Sequence, residues 1–395
     1  MSHDQGTGSV SILKYAGHTE FHMIDSNEAL AESCAHWSSC QALALDTEFM
    51  RVSTYYPKVG LIQISDGKQI TLVDPLKIED WSSFKALLAD EGVARVLHSC
   101  SEDLLVFFAF TGMLPVSVFD TQIAAALLGE GLSLSYQNLV IKGFNIELPK
   151  SETRSDWLQR PLTPEQLEYA ALDVAYLVET WQQQQESLAS LGRDSWITEE
   201  CERMKRQYDT EFTGDFSLYY LNFKAAWQFS AQRLAALQKL AAWREERARK
   251  RDKPRNWILK DTALYAIAAS MCTSRAQLAA IDDVSDNFIR HEGDQVLELV
   301  SQARNLPEAD CPEPLPKPLN SSAKQKLKAA QARVEAIAGE LGLAPELLAR
   351  KKTLLALMHA SKPQHSDNNE PLEIPDELQG WRKPLVLDAL LEILV

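Results

Sequence analysis

The nine residues Ala42-Leu43-Ala44-Leu45-Asp46-Thr47-Glu48-Phe49-Met50 constrain the fold more than any other stretch of this 395-residue chain. The apolar residues before the acids suit a buried strand, and in an extended chain Asp46 and Glu48, two positions apart, project to the same side. Carboxylates that close repel and raise each other's pKa, so a fold keeps them only where a cation or a shared proton offsets the repulsion. Hard oxygen donors of this kind suit Mg²⁺ or Mn²⁺. The plainer reading is a strand that ends in polar loop residues, and it stands unless further acids join the pair.

The surrounding pattern supplies a sheet for that strand. Asp25 to Glu28 has the form of a helix cap leading into a helix through about Trp37. Leu61 to Ser65 and Gln69 to Val73 alternate apolar and polar residues around an Asp66-Gly67 turn, which predicts a hairpin. Helices are expected over 79–88, 102–110 and 121–128, and strands over 95–98 and 116–119. A hairpin followed by alternating strands and helices predicts an α/β fold with a mixed sheet flanked by helices. Thr163-Pro164-Glu165-Gln166 supplies an N-cap, a proline at the first helical position and a capping-box glutamine, opening a helix that runs to about Leu188. Tyr169 and Asp173 lie one turn apart on its face.

From about residue 211 the strand signal disappears. Helices are expected over 230–250, from Asp261 to Ala269, over 285–303, and, beyond a five-proline run at 305–318, over 322–341, 345–360 and 384–394. Two helical sets of similar size suggest a duplication, although no strict repeat is visible. Residues 1–200 carry 12 Lys+Arg against 28 Asp+Glu, a balance of -16, and residues 201–395 carry 28 against 27, so the net charge of -15 belongs to the first half. Such a charge argues against nonspecific coating of nucleic acid; an acidic half that handles a polyanion needs metal ions or a basic partner domain. The six cysteines show no C-x-x-C pair and read as reduced thiols. No apolar run reaches membrane-spanning length and the N-terminus lacks a signal-peptide pattern, so a cytoplasmic protein is expected, with no obligatory protein partner readable.

Asp46 and Glu48 at a strand end, Asp103 opening the helix after the strand that ends at His98, and Tyr169 with Asp173 on one helical face supply four carboxylates and a tyrosine. A phosphodiester hydrolase needs such a set to hold two metal ions, and a tyrosine one turn from a ligand suits the orientation of an attacking water. Asp-Thr-Glu-Phe in a strand, then His98-Ser99-Cys100-Ser101-Glu102-Asp103, then Tyr169-x-x-x-Asp173, resemble the three exonuclease motifs of the DEDD superfamily in its tyrosine-bearing subclass. Phe119-Asp120-Thr121-Gln122 and the run from Lys150 to Leu162 are similar to the ribonuclease D family, which has tandem helical HRDC domains. Asp252 to Asp261 and Gly380-Trp381-Arg382-Lys383-Pro384 are the corresponding cues in the helical modules.

The resemblance implies an RNase H-like fold followed by two small all-α, HRDC-like domains. It also implies 3′-to-5′ hydrolysis of RNA from a free 3′ end, with release of nucleoside 5′-monophosphates. On this basis Asp46, Glu48, Asp103 and Asp173 hold two divalent ions, Mg²⁺ or Mn²⁺, and Tyr169 positions the water. The expected substrates are tRNA precursors and other small structured RNAs. The expected domains are 1–205 (exonuclease), 211–304 (first HRDC-like), 305–320 (proline-rich linker) and 321–395 (second HRDC-like).

Each candidate has a plainer rival. Glu102 and Asp120 compete with Asp103, and Asp120 suits a helix cap; the family motif favours Asp103. His98 reads as a structural residue at a strand end. Lys150, Arg154 and Arg160 suit phosphate contacts or, equally, surface ion pairs. Residues 244–260 carry eight Lys+Arg against three acids with Trp243 and Trp257 interleaved, which suits an RNA grip through residues such as Arg255 and Trp257, or a solvated helix end with core tryptophans. A DNA-trimming exonuclease, a nucleic-acid-binding scaffold and a metal phosphomonoesterase are the competing functions.

Overall fold

A computed structural model describes residues 12–14, 20–149, 155–213, 215–360 and 372–394. The described residues fall into two compact units: those up to 50, those from 57 to 209 and those from 321 onward form the first, and those from 51 to 56 and from 210 to 320 the second.

The first unit is built on a seven-stranded mixed sheet in the order β1-β2-β5-β4-β3-β6-β7. Its strands are β1 (Ile12–Lys14), β2 (Glu20–Ile24), β3 (Ala42–Met50), β4 (Lys58–Ser65), β5 (Ile70–Val73), β6 (Ala94–Leu97) and β7 (Val118–Asp120). The expected hairpin is β4–β5, and β3 pairs antiparallel with β4 on one side and parallel with β6 on the other. The start of β3 is walled in, since Leu43, Ala44 and Leu45 are almost wholly buried, as a central strand covered on both faces requires. Strands β1 and β2, at one side of the sheet, carried no readable signal.

Helices α1 (Asn27–Trp37), α2 (Ser82–Leu88), α3 (Ser101–Thr111), α4 (Thr121–Leu127), α5 (Tyr136–Phe144), α6 (Pro164–Ala175), α7 (Leu177–Ser190) and α8 (Asp194–Thr213) accompany these strands in the first half of the chain. Ser26, not Asp25, caps α1, because its hydroxyl accepts the Ala29 N–H. The Thr163 capping box of α6 is present in full. The single helix expected from Leu162 to Leu188 is broken at Tyr176 into α6 and α7.

In the second unit, α9 (Ala231–Arg251), α10 (Arg255–Ile258), α11 (Asp261–Ser270), α12 (Arg275–Ala279) and α13 (Asp286–Arg304) enclose a core that includes Leu237, Leu240, Trp243, Leu264 and Val296. Lys260 rather than Asp261 is the cap of α11, and Asp261 instead pairs with Arg244 at 2.6 Å. The proline-rich run is not a free spacer: Leu306, Cys311 and Leu315 pack against this core. Tyr55, carried in the β3–β4 connection, is buried in the same core.

The last segment returns to the first unit with α14 (Ser321–Leu341), α15 (Pro345–Leu348), α16 (Lys351–Ala360) and α17 (Asp388–Leu394). Its attachment runs through α8. Arg382 places both terminal nitrogens on the buried Glu200, Arg203 reaches the same carboxylate at 2.5 Å, and the Trp381 indole donates to it at 3.0 Å. Trp381 stacks on Trp196 with centroids 4.2 Å apart and planes 11° from parallel. Gly380 stands in the left-handed region at φ 60°, and a side chain there would collide with Glu199.

Candidate active site

Glu48 and Asp46 lie opposite Leu61 and Gln63 across the β3–β4 ladder. Directly opposed residues of an antiparallel pair share a face, so both acids lie on the face where Leu61 packs with Ala170 and Ala171 of α6. Asp173, two residues further along α6, reaches the same place. Oxygen atoms of Asp46, Glu48 and Asp173 converge within 4.8 Å of one another. Thr47, alternating to the other side of the strand, donates its hydroxyl to Asp103 at 2.5 Å, which fixes the fourth acid beside the first two. Glu102 is exposed while Asp103 is buried, so the helix face decides between them as the motif does.

Asp120 is occupied elsewhere. Its carboxylate accepts N–H bonds from Gln122 and Ile123, capping α4, and from Ser99 and Cys100 ahead of α3, at 2.8 to 3.2 Å. It holds the turn from which Asp103 projects. His98 is structural in the way expected, bonded through Nδ1 to the Thr121 hydroxyl at 2.9 Å.

Burial and mutual repulsion dominate the electrostatics of the four acids. Burial first, then the charges of Asp173 and Asp103, push Glu48 up to about 9. Asp173 rises to about 7 and Asp103 to about 6, again mainly through burial, with the hydrogen bonds from Tyr169 and Thr47 opposing it. Asp46 is raised strongly by burial and by all three other acids. The Tyr169 hydroxyl donates to Asp173, and burial next to these carboxylates raises its own proton affinity. Among the described residues, no Lys or Arg forms an ion pair with any of the four acids. Four hard oxygen donors without a neutralising side chain fit divalent cations: the charge they lack is what such an ion supplies.

Two residues beyond the expected set lie against the acids. Tyr136 of α5 inserts its hydroxyl into the backbone ladder at the α6–α7 break, donating to Leu172 O at 3.0 Å and accepting from Tyr176 N at 3.1 Å. This replaces a helical hydrogen bond immediately around Asp173. Gln63 is wholly buried opposite Asp46, and its amide has no hydrogen-bond partner among the described residues. The alternation over 61–65 does not say which face of the strand is covered, so Gln63 could not be singled out, and nothing local signals Tyr136.

The expected substrate residues divide. Lys150 and Arg154 lie outside the described residues. Arg160 is withdrawn from the set because all its donors are engaged within the protein: Asp74 at 2.6 and 2.7 Å, Gly60 O at 2.7 Å, and the Trp157 and Gln159 carbonyls at 2.9 Å. In the second unit Arg255 is bound to Glu245 and to the hydroxyls of Tyr55 and Tyr219. Arg244, Arg247, Arg249 and Arg251 likewise pair with Asp261, Glu292 or Glu245, so most of the basic run is neutralised internally. Trp243 is core, whereas Trp257 is 62% exposed with the Lys253 ammonium 5.7 Å above its ring.

Residues 21–189 match the family model for 3′-5′ exonucleases, residues 233–300 that for the HRDC domain, and residues 322–390 that for the C-terminal HRDC domain of ribonuclease D. The chain is 43% identical to ribonuclease D of Pseudomonas paraeruginosa over 375 residues, covering 95% of this chain and 98% of the relative. It is 36% identical to that of Escherichia coli K12, again over 95% and 98%. The crystal structure of Escherichia coli RNase D superposes with a TM-score of 0.84 at 35% identity, covering 95% of this chain and 98% of that one.

A mixed RNase H-like sheet whose central strand brings two acids beside two more from flanking helices defines a metal-dependent 3′-5′ exonuclease. Its likeness to ribonuclease D over 95% of the chain makes that exonuclease one that acts on RNA. The chain belongs to the ribonuclease D family.

Proposed function

We propose that the chain trims 3′ extensions from tRNA precursors and other small structured RNAs, with Asp46, Glu48, Asp103 and Asp173 holding two divalent ions, Mg²⁺ or Mn²⁺. The convergence of Asp46, Glu48 and Asp173 within 4.8 Å of one another, with Asp103 beside Asp46 and the Tyr169 hydroxyl on Asp173, in a chain of this family, is the observation that carries the reading. The ions, when bound, polarise the scissile phosphate and make water nucleophilic near neutral pH. The chain's own residues do the rest. Thr47 and Asp120 fix Asp103, Tyr136 fixes the end of α6, and Tyr169 orients the water for attack on the terminal phosphodiester. Cleavage at that bond releases a nucleoside 5′-monophosphate and leaves a new 3′ hydroxyl for the next cycle.

We assign residues 1–205 to the exonuclease, 211–304 and 321–395 to the two HRDC-like modules, and 305–320 to the connection. The exposed Trp257 beside Lys253 suits stacking on an unpaired base, so the first module is the one we assign to RNA contact. Six free thiols favour action in the reducing cytoplasm.

The test is hydrolysis of a 3′-extended tRNA and a matching DNA strand, each labelled at the 5′ end, with Mg²⁺, Mn²⁺ or chelator. A ladder shortening from the 3′ end of the RNA and absent with chelator is expected. Faster trimming of DNA keeps the chemistry and overturns the substrate; no shortening by folded protein overturns both.

A further inference from the structure

We propose that His36, Cys40 and Asp66 form a site for a borderline-soft divalent metal, Zn²⁺ by preference, apart from the acid cluster of the hydrolytic reaction. His36 lies in the last turn of α1, Cys40 just before β3, and Asp66 in the β4–β5 turn. One donor atom from each converges so that all three lie within 4.8 Å of one another, with His36 Nε2 3.1 Å from Asp66 Oδ2. Zinc bonds of about 2.0 to 2.3 Å place neighbouring tetrahedral ligands roughly 3.5 Å apart, so closing the set asks for side-chain rotation only. His36 is exposed and Cys40 half-buried, which leaves them room to turn.

Asp66 is already oriented for the task. Its Oδ1 accepts the N–H groups of Lys68 and Gln69 at 2.8 and 2.7 Å, which holds Oδ2 toward the imidazole. The three donors line a cleft of about 600 Å³, with Lys68, Gln69 and Trp181 among its other walls. Lys68 is exposed, so its ammonium can move into water as a cation enters. The cleft leaves a fourth coordination position open to water or to a small anion. Thiolate and imidazole select zinc-like ions over Mg²⁺, which the all-oxygen cluster prefers, so the two sites sort metals by chemistry. As the sulfur–metal bond forms, the thiol proton passes to solvent. An ion here would tie the end of α1 and the entry to β3 to the β4–β5 turn.

Cobalt titration of the reduced full-length protein tests this, because a thiolate-to-cobalt absorption band in the near ultraviolet arises only when sulfur is a ligand. The expected result is one equivalent giving that band, displaced by Zn²⁺ but not by excess Mg²⁺. Cys40→Ser and His36→Ala should lose the band, whereas Cys311→Ser, altering the other half-buried thiol, should keep it. Zn²⁺ should also slow alkylation of Cys40 at least tenfold while Mg²⁺ does not. Absence of the band in the unmodified protein, or its persistence in Cys40→Ser, would overturn the site.

Discussion

Tyr136 and Tyr176 meet where α6 gives way to α7: the Tyr176 N–H donates to the Tyr136 hydroxyl at 3.1 Å, and that hydroxyl donates on to Leu172 O. The two backbone groups flank Asp173, one turn beyond Tyr169 in α6. Tyr136→Phe keeps the ring and removes only the bridge. It should cost about 1 kcal/mol of stability. If the bridge sets the direction of Asp173, single-turnover cleavage should fall roughly tenfold at saturating RNA with little change in KM. A melt that shifts while the rate does not would confine the bridge to a structural role.

Asp46→Asn and Asp173→Asn each remove one anionic ligand with little change of volume. Each should lower cleavage by on the order of 10³-fold, the equivalent of several kcal/mol of lost charge stabilisation, while circular dichroism stays unchanged. Tyr169→Phe should slow cleavage and leave divalent-metal binding intact, read by isothermal titration.

The acid cluster also sets a pH dependence in metal-free protein. Glu48 near 9, Asp173 near 7 and Asp103 near 6 all bind protons more tightly folded than unfolded. That contribution is fully present below the ordinary carboxylate range of about 4 and is lost as pH rises through 6, 7 and 9. Thermal melts in chelator should therefore fall between pH 5 and 9. Mg²⁺ should restore much of the loss at pH 8, and Glu48→Gln should flatten the fall between pH 7 and 9.

Glu200 behaves in the opposite sense. Burial raises its proton affinity, but Arg382 and Arg203 outweigh it and hold the carboxylate at about 2. Its stabilisation is present above the ordinary carboxylate range and is lost as pH falls toward 2. Glu200→Gln strands a buried guanidinium and should cost about 3 kcal/mol at pH 7, with the gap to the unmodified protein narrowing in acid.

Trp257→Ala should weaken RNA binding by roughly 5- to 100-fold, the worth of one stacked base, without moving the melting temperature. Arg255→Ala should do the reverse, because its partners are Glu245, Tyr55 and Tyr219 inside the second unit. Equal losses of RNA affinity in both variants would refute the division.

Most elements of the first unit were legible because they depend on local periodicity, and so were two pairings, Asp46 with Glu48 by strand alternation and Tyr169 with Asp173 by helical spacing; Asp103 was chosen over Glu102 and Asp120 only through the family motif. What escaped depends on distant groups. The break at Tyr176 is made by a hydroxyl 40 residues earlier in the chain, so the Leu162–Leu188 pattern shows no sign of it. Arg160 looked available beside an acidic site, yet Asp74 and Gly60, 86 and 100 residues away, take its donors. Trp243 and Trp257 lie in one basic run, and only tertiary packing buries the first and exposes the second.

The grip of Glu200 on Arg382 also orders events during synthesis. The second unit is complete once residue 320 has been made, whereas the first still lacks Trp381 and Arg382. Glu200 thus has Arg203 beside it at once, but is made 182 residues ahead of Arg382. Where domains fold as they are made, the middle of the chain can therefore finish before the first unit, which waits for Trp381 and Arg382.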